Sequence, residues 1–276
     1  MTERNAFVDA DGATVPVAVV QHDIAWEDRG ANLGRLGGLV ESAALEGASL
    51  VVLPEMFATG FSADTERIAE PPDGPTVGFM LEQSRRLGVW MVGSVCLRAP
   101  QGAPGASGRP GGLPSNVAVC TSPSGEVSTY AKRHLFSYAG EHERIAPGSS
   151  TLTVDIGGLS TTVFVCYDLR FADDFWNLAE RTEAYVVVAN WPAARAHHWR
   201  SLLVARAIEN QAWVVGANRV GSGGGLDYGG DSLVVDPMGR IVADGGDASE
   251  QVLHATLSAG HVADVRRHYP FLRDRL

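Results

Sequence analysis

The segment Thr14–Glu55, TVPVAVVQHDIAWEDRGANLGRLGGLVESAALEGASLVVLPE, decides how this chain folds. Its opening run, Thr14–His22, is apolar and β-branched and reads as a buried strand. Asn32–Glu46 then carries apolar residues at helical spacing, and Ser49–Glu55 returns to an apolar strand that Pro54 ends. Working outward, a helix over Thr76–Leu87 leads into the strand VWMVGSV, Val89–Val95. Strands alternating with helices in this way imply parallel neighbours with helices laid over the sheet.

The rest of the chain adds hairpins. NVAVCTSPSGEVSTYAKRH is two alternating runs joined by the turn residues Ser122–Gly125, and GDSLVVDPMGRIVADGG repeats that design around Asp236–Gly239. Between them come LTVDIGGLSTTVFVCYD, a helix over Asp173–Arg181, the strand AYVVVAN, a long helix over His197–Gln211 and the strand AWVVGANRV. The mixture predicts an α/β fold with mixed sheets and a two-layer core. Ala99–Pro114 is almost wholly Gly, Pro, Ala and Ser, and reads as a mobile surface loop. The segments on either side of it look like neighbouring strands, so residues 1–276 are expected to form one domain. The tail, residues 258–276, is polar with aromatic anchors and is expected to pack across a partner subunit.

Composition narrows the function. The 22 basic and 32 acidic side chains leave a formal net charge of −10, which argues against nucleic acid or an anionic membrane as a partner. No apolar run approaches the roughly eighteen residues needed to cross a bilayer. The opening MTERNAFVDADG has neither the basic region nor the apolar block of a signal peptide, so a cytoplasmic enzyme is expected. Cys96, Cys120 and Cys166 cannot all pair and form no C-x-x-C, which fits reduced thiols, one of them a nucleophile. His197 and His198 are adjacent on a helix and point in different directions, so no metal is expected, and no organic cofactor either.

Three reactive side chains fall where an apolar strand gives out: Glu55 after SLVVLP, Lys132 after VSTYA and Cys166 after STTVFV. Ligand sites in α/β folds collect at such strand ends. Each residue also has an ordinary reading: a small buried hydrophobe for Cys166, a solvated charge for Glu55 and Lys132. Phe57, Gly60 and Phe61 beside Glu55 look like pocket lining that would desolvate its carboxylate. Glu141 and Glu143 lie close enough in sequence to hold Lys132. A helix starting near Asp173–Asp174 would favour a thiolate at Cys166.

LPEMFATGF, YAKRHLF with the GEHE and PG that follow it, and VFVCYDLRF resemble, in order, the three signature segments of the nitrilase superfamily of carbon–nitrogen hydrolases. ANWPAARAHHWRSLLVARAIENQAW and NRVG with GDSLVVDPMGRI resemble two further segments, so the likeness runs from about Val17 to about Leu257. The wording is most similar to the ω-amidase branch, which hydrolyses the terminal amide of 2-oxoglutaramate and 2-oxosuccinamate. The Gly/Pro-rich stretch and FADDFW after the cysteine depart from that pattern.

The resemblance implies a nitrilase-like four-layer αββα sandwich, a homodimer, and a catalytic triad of Glu55, Lys132 and Cys166 with Glu141 beside it. In that scheme Glu55 is the general base, Cys166 forms a thioester, and Lys132 with the backbone N–H of Tyr167 forms the oxyanion hole. The substrate is expected to be a small amide carrying a carboxylate, met by Arg195, with Trp191 and Phe61 as apolar walls. Arg170 is expected to pair with Asp168 or Asp174, and Arg206, Glu209 and Asn210 to be structural or to lie at an interface. An N-carbamoyl amino acid hydrolase, a general aliphatic amidase and a catalytically silent oligomeric binding protein are the alternatives.

Overall fold

A computed structural model describes residues 12–98 and 112–275. The first half contains β1 (Thr14–Gln21), α1 (Arg29–Leu45), β2 (Leu50–Val52), α2 (Thr65–Ile68), α3 (Pro75–Leu87), β3 (Trp90–Leu97), β4 (Ser115–Thr121) and β5 (Val127–Ala131). The second half contains β6 (Thr153–Ile156), β7 (Leu159–Val165), α4 (Ala172–Trp176), β8 (Ala184–Val188), α5 (Ala196–Asn210) and β9 (Trp213–Ala217). It ends with β10 (Val220–Gly223), β11 (Leu226–Gly229), β12 (Leu233–Val235), β13 (Ile241–Asp244), β14 (Gln251–Ser258) and α6 (Ala259–His268).

Two six-stranded sheets result, in the orders β14-β1-β2-β3-β4-β5 and β13-β12-β9-β8-β7-β6. Each has three parallel strands at its centre, β1-β2-β3 and β7-β8-β9, and antiparallel partners outside them. Alternation along β1 sorts the residues. Val17 and Val19 face the second sheet in the central core with Val163, Val186 and Val215. Ala18 and Val20 face Leu36 and Val40 of α1 and Met80 of α3. On the far side α5 packs on β9, where a Cβ at Gly216 would meet the Leu203 side chain at 2.5 Å. Helix, sheet, sheet, helix is the αββα sandwich that the family resemblance implied.

Two elements differ from expectation. Asp173–Arg181 is not one helix: α4 stops at Trp176, and a separate 3-10 turn covers Ala179–Arg181. The tail begins with α6, which is anchored on its own chain. β14 closes the first sheet against β1, and Arg266 of α6 donates to the carbonyls of Ala179, Thr182, Asn210 and Gln211. The ribbon β10–β11 was not foreseen, because a glycine-rich stretch carries little apolar periodicity. Most of the stretch read as a mobile loop, residues 99–111, lies outside the described residues. Among the described residues no helix is long and apolar enough to cross a membrane.

His22, at the end of β1, is fully buried, and desolvation with the positive charges of Arg35 and Arg219 lowers its pKa from 6.5 to about 3. The unfolded chain takes up that proton near 6.5 and the folded chain only near 3. Stability present above 6.5 is therefore lost as pH falls toward 3, by at most about 1.4 kcal/mol per pH unit. Replacing His22 with Leu should flatten this acid limb, measured as urea midpoints at pH 7 and at about pH 4.5. An equal fall in parent and variant would place the titration elsewhere.

Candidate active site

The loops after β2, β5, β7 and β8 bring four side chains to one point. β2 ends at Val52, and Pro54, which has no N–H to extend the ladder, turns the chain so that Glu55 lies 1% exposed. Met56 follows with φ +43°, a conformation disfavoured without glycine, and its N–H donates to Ser94 Oγ at 2.9 Å. β5 delivers Lys132, also 1% exposed, whose own N–H donates to Asn116 O. The loop that covers it is locked by Gly148: a Cβ there would lie 2.1 Å from Ala131 O, so only glycine lets its N–H reach Lys132 O at 2.8 Å. Cys166 follows β7 directly at φ +46° and opens a 3-10 turn over Cys166–Arg170.

Lys132 Nζ lies 3.2 Å from Glu55 Oε1 and 3.0 Å from both carboxylate oxygens of Glu141, which is itself 1% exposed. Burial opposes the ammonium, but the attraction of Glu55 and Glu141 outweighs it, and the lysine pKa rises above its ordinary value. Glu143 does not take part and is exposed. Asn116 Nδ2 donates to Glu55 Oε1 at 2.7 Å, and the Asn190 N–H donates to Oε2 at 2.8 Å. Ser94 holds Asn116 in turn, with Oγ donating to Oδ1 at 2.9 Å. The Phe136 N–H donates to Glu141 Oε2 at 2.6 Å. Asn116, Ser94 and Asn190 escaped the sequence reading. Their only trace there is a polar residue inside or beside an apolar strand, as in VWMVGSV and VVVAN.

Cys166 is partly covered, and its sulfur is desolvated. Burial, then the Glu55 charge and a hydrogen bond to Glu55, push the thiol well above its ordinary pKa, with Lys132 acting in the opposite direction. This corrects the expectation that a helix N-terminus favours a thiolate: the 3-10 turn is short, and desolvation next to a carboxylate dominates. Cys96 and Cys120 are buried, with pKa values pushed up to about 12 by desolvation, and neither lines the cavity.

A cavity of about 240 Å³ opens over Cys166, Glu55, Lys132 and Glu141. Phe61 and Trp191 are among its walls, and Lys132 Nζ sits 5.2 Å from the Phe61 ring centre. Arg195 reaches the cavity over the Phe136 ring at 5.5 Å, while its carbonyl accepts from Trp191 Nε1. Arg170 also lines the cavity, 4.9 Å over Trp191 and 3.1 Å from His198 Nδ1. It does not pair with Asp168 or Asp174, because Tyr130, Val165 and His134 already occupy the first, and Arg133 and His134 the second. Arg144 is a third cavity arginine. Among the described residues none of these three guanidinium groups is ion-paired. Arg206 pairs with Glu209 at 2.8 Å as expected, and also donates to Leu169 O behind the cysteine turn.

A family model described as carbon–nitrogen hydrolase matches residues 16–267. Omega-amidase YafV of Yersinia enterocolitica is 36% identical over 264 residues, covering 95% of this chain and 97% of that protein. The 2-oxoglutaramate amidase of Bacillus subtilis (strain 168) is 30% identical over 264 residues, with 94% and 96% covered. A crystal structure of XC1258 from Xanthomonas campestris, a CN-hydrolase superfamily protein with an arsenic adduct in the active site, superposes with a TM-score of 0.87. That chain is 38% identical, with 95% of this chain and 97% of the other covered.

Removing the ammonium would leave two buried carboxylates facing each other. Lys132→Met should cost about 3–5 kcal/mol of stability at pH 7, as breaking a buried ion pair does. Urea unfolding checks it, and a loss under about 1 kcal/mol would mean that the charges are solvated.

Proposed function

The chain belongs to the carbon–nitrogen hydrolase family, and we propose that it hydrolyses the terminal amide of a small 2-oxo acid, of the 2-oxoglutaramate or 2-oxosuccinamate kind, through a thioester on Cys166. The observation that carries this reading is the meeting of a desolvated thiol, a hydrogen-bonded carboxylate and a buried ammonium under one cavity.

Glu55 takes the thiol proton as sulfur attacks the amide carbon. The oxyanion that forms is held by Lys132 and the Tyr167 N–H, and each such donor contributes on the order of a hundredfold or more to the rate. Collapse expels ammonia, which carries away the proton from Glu55. Water then gives a proton to Glu55 and its oxygen to the thioester, and the thiolate leaves and recovers that proton. Glu141 keeps the ammonium in place. Its two oxygens lie at equal distance from Nζ, which suits an anchor better than a second base.

Selectivity for an acid amide is supported by the three cavity arginines, which together offer a substrate carboxylate a cationic face. Arg195 and Arg170 are the proposed partners, and the names borne by the amidase relatives fit a 2-oxo acid. Nothing in the site favours a carbamoyl substrate or a silent binding role. We further propose one domain acting in the cytoplasm as a homodimer. Three free cysteines suit a reducing compartment, and exposed Ile208, Ile241 and Val242 near the β12–β13 turn offer an apolar contact.

Enzyme quenched during turnover of 2-oxoglutaramate should carry an acyl adduct on the peptide containing Cys166, seen by mass spectrometry. An adduct on another residue would sink the assignment. Arg170→Ala and Arg195→Ala should each raise KM for 2-oxoglutaramate about tenfold or more and leave butyramide hydrolysis nearly unchanged. Equal effects on both substrates would remove the carboxylate role.

A further inference from the structure

We propose that Asp168 is a positioning residue that holds the Cys166 turn and the Lys132 strand end in one frame, an inference that rests on the roles just given to those two residues. Its side chain is completely buried and touches neither the cavity nor a cation directly. Oδ2 accepts the Tyr130 hydroxyl at 2.9 Å and the Val165 N–H at 3.0 Å, and Oδ1 accepts the His134 N–H at 2.9 Å. Tyr130 stands two residues before Lys132 and His134 two residues after it. Val165 immediately precedes Cys166.

The need for such a link follows from the topology. Lys132 leaves β5 at the edge of the first sheet, and Cys166 leaves β7 in the second. Among the described residues no ladder of backbone hydrogen bonds runs between the two sheets, so their secondary structure does not fix one strand end against the other. A single carboxylate bonded to both does so. It also restrains a backbone that needs restraint, since Cys166 sits at φ +46° and such a residue is held there only by its surroundings.

The chemistry of the group is specific. All three partners are donors, so both oxygens must accept, which a carboxylate does and an amide does not. Asparagine would turn its NH2 either toward the His134 N–H or toward Val165 and Tyr130. Desolvation raises the Asp168 pKa to about 6, with the charge of Lys132 opposing the rise, so near neutral pH the group is ionised and able to accept three bonds.

Asp168→Asn and Tyr130→Phe test this with 2-oxoglutaramate, alongside Cys166→Ala. Asp168→Asn should lower kcat about ten- to a hundredfold, the scale of a hydrogen bond to a charged group, while KM stays within about threefold. Tyr130→Phe removes one bond of the three and should lower kcat about two- to tenfold. Alkylation of Cys166 by iodoacetamide at pH 7 should slow in the same order. An Asp168→Asn enzyme whose kcat stays within about threefold of the parent overturns the proposal, as does a rise in KM with kcat intact. If Asp168→Asn fails to fold, Tyr130→Phe decides: lost kcat at an unchanged melting temperature supports the role, and unchanged kcat overturns it. Turnover retained by Cys166→Ala would instead bring down the nucleophile assignment, and this proposal with it. A dead Cys166→Ala beside a full-rate Asp168→Asn rejects the positioning role alone.

Discussion

One positive charge sealed inside the sandwich organises the strand ends of this protein. Stripping the Lys132 ammonium of water costs several kcal/mol even after relaxation, and such a charge persists only when it is paired and its partners are themselves satisfied. Both conditions are met. Glu55 and Glu141 lie within 3.2 Å of Nζ, Asn116 and Asn190 donate to the first, and Phe136 donates to the second. The network is closed on every side but one, where Cys166 and the cavity begin. A polar cluster of this kind is rigid because each broken bond leaves a buried group without a partner.

That rigidity comes from the plan of the fold. Each half of the chain builds three parallel strands flanked by helices and then adds a hairpin, and the two sheets meet through their valine-rich inner faces. Glu55 and Lys132 come from the first sheet, Cys166 and Asn190 from the second. Sheet-to-sheet packing therefore sets their distances, and a change in the central core would be felt at the cysteine. Positive φ angles at Met56 and Cys166 show where the backbone is bent to present a side chain, a cost of about 1–3 kcal/mol each that the surrounding bonds offset.

Around this fixed centre the cavity walls come from loops. Phe136, Arg144, Arg170, Trp191, Arg195 and Tyr228 all lie outside the strands that carry the fold, apart from Tyr228 on the small ribbon. Buried groups anchored at strand ends and cavity walls carried on loops can vary independently.

Much of this was legible in the sequence. Apolar runs at strand length, helical spacing between them and turn residues at the hairpins gave a mixed α/β fold, because burial on both faces leaves a direct mark on composition; the two-sheet sandwich came from the family resemblance. The quoted motifs singled out Glu55, Lys132, Cys166 and Glu141, which the fold brings together under one cavity. What they could not give were the partners at long range. Asn116 reaches Glu55 across 61 positions and Asn190 across 135, and no local pattern records such a meeting. Arg170 stands near Asp168 and Asp174 in sequence, yet the first is filled by three other donors and the second by Arg133 and His134. The chain by itself determined most of the strands and helices, since those depend on near neighbours and burial. Only the tertiary structure decided which donor meets which acceptor, because a buried hydrogen bond depends on ångström distances between segments far apart along the chain.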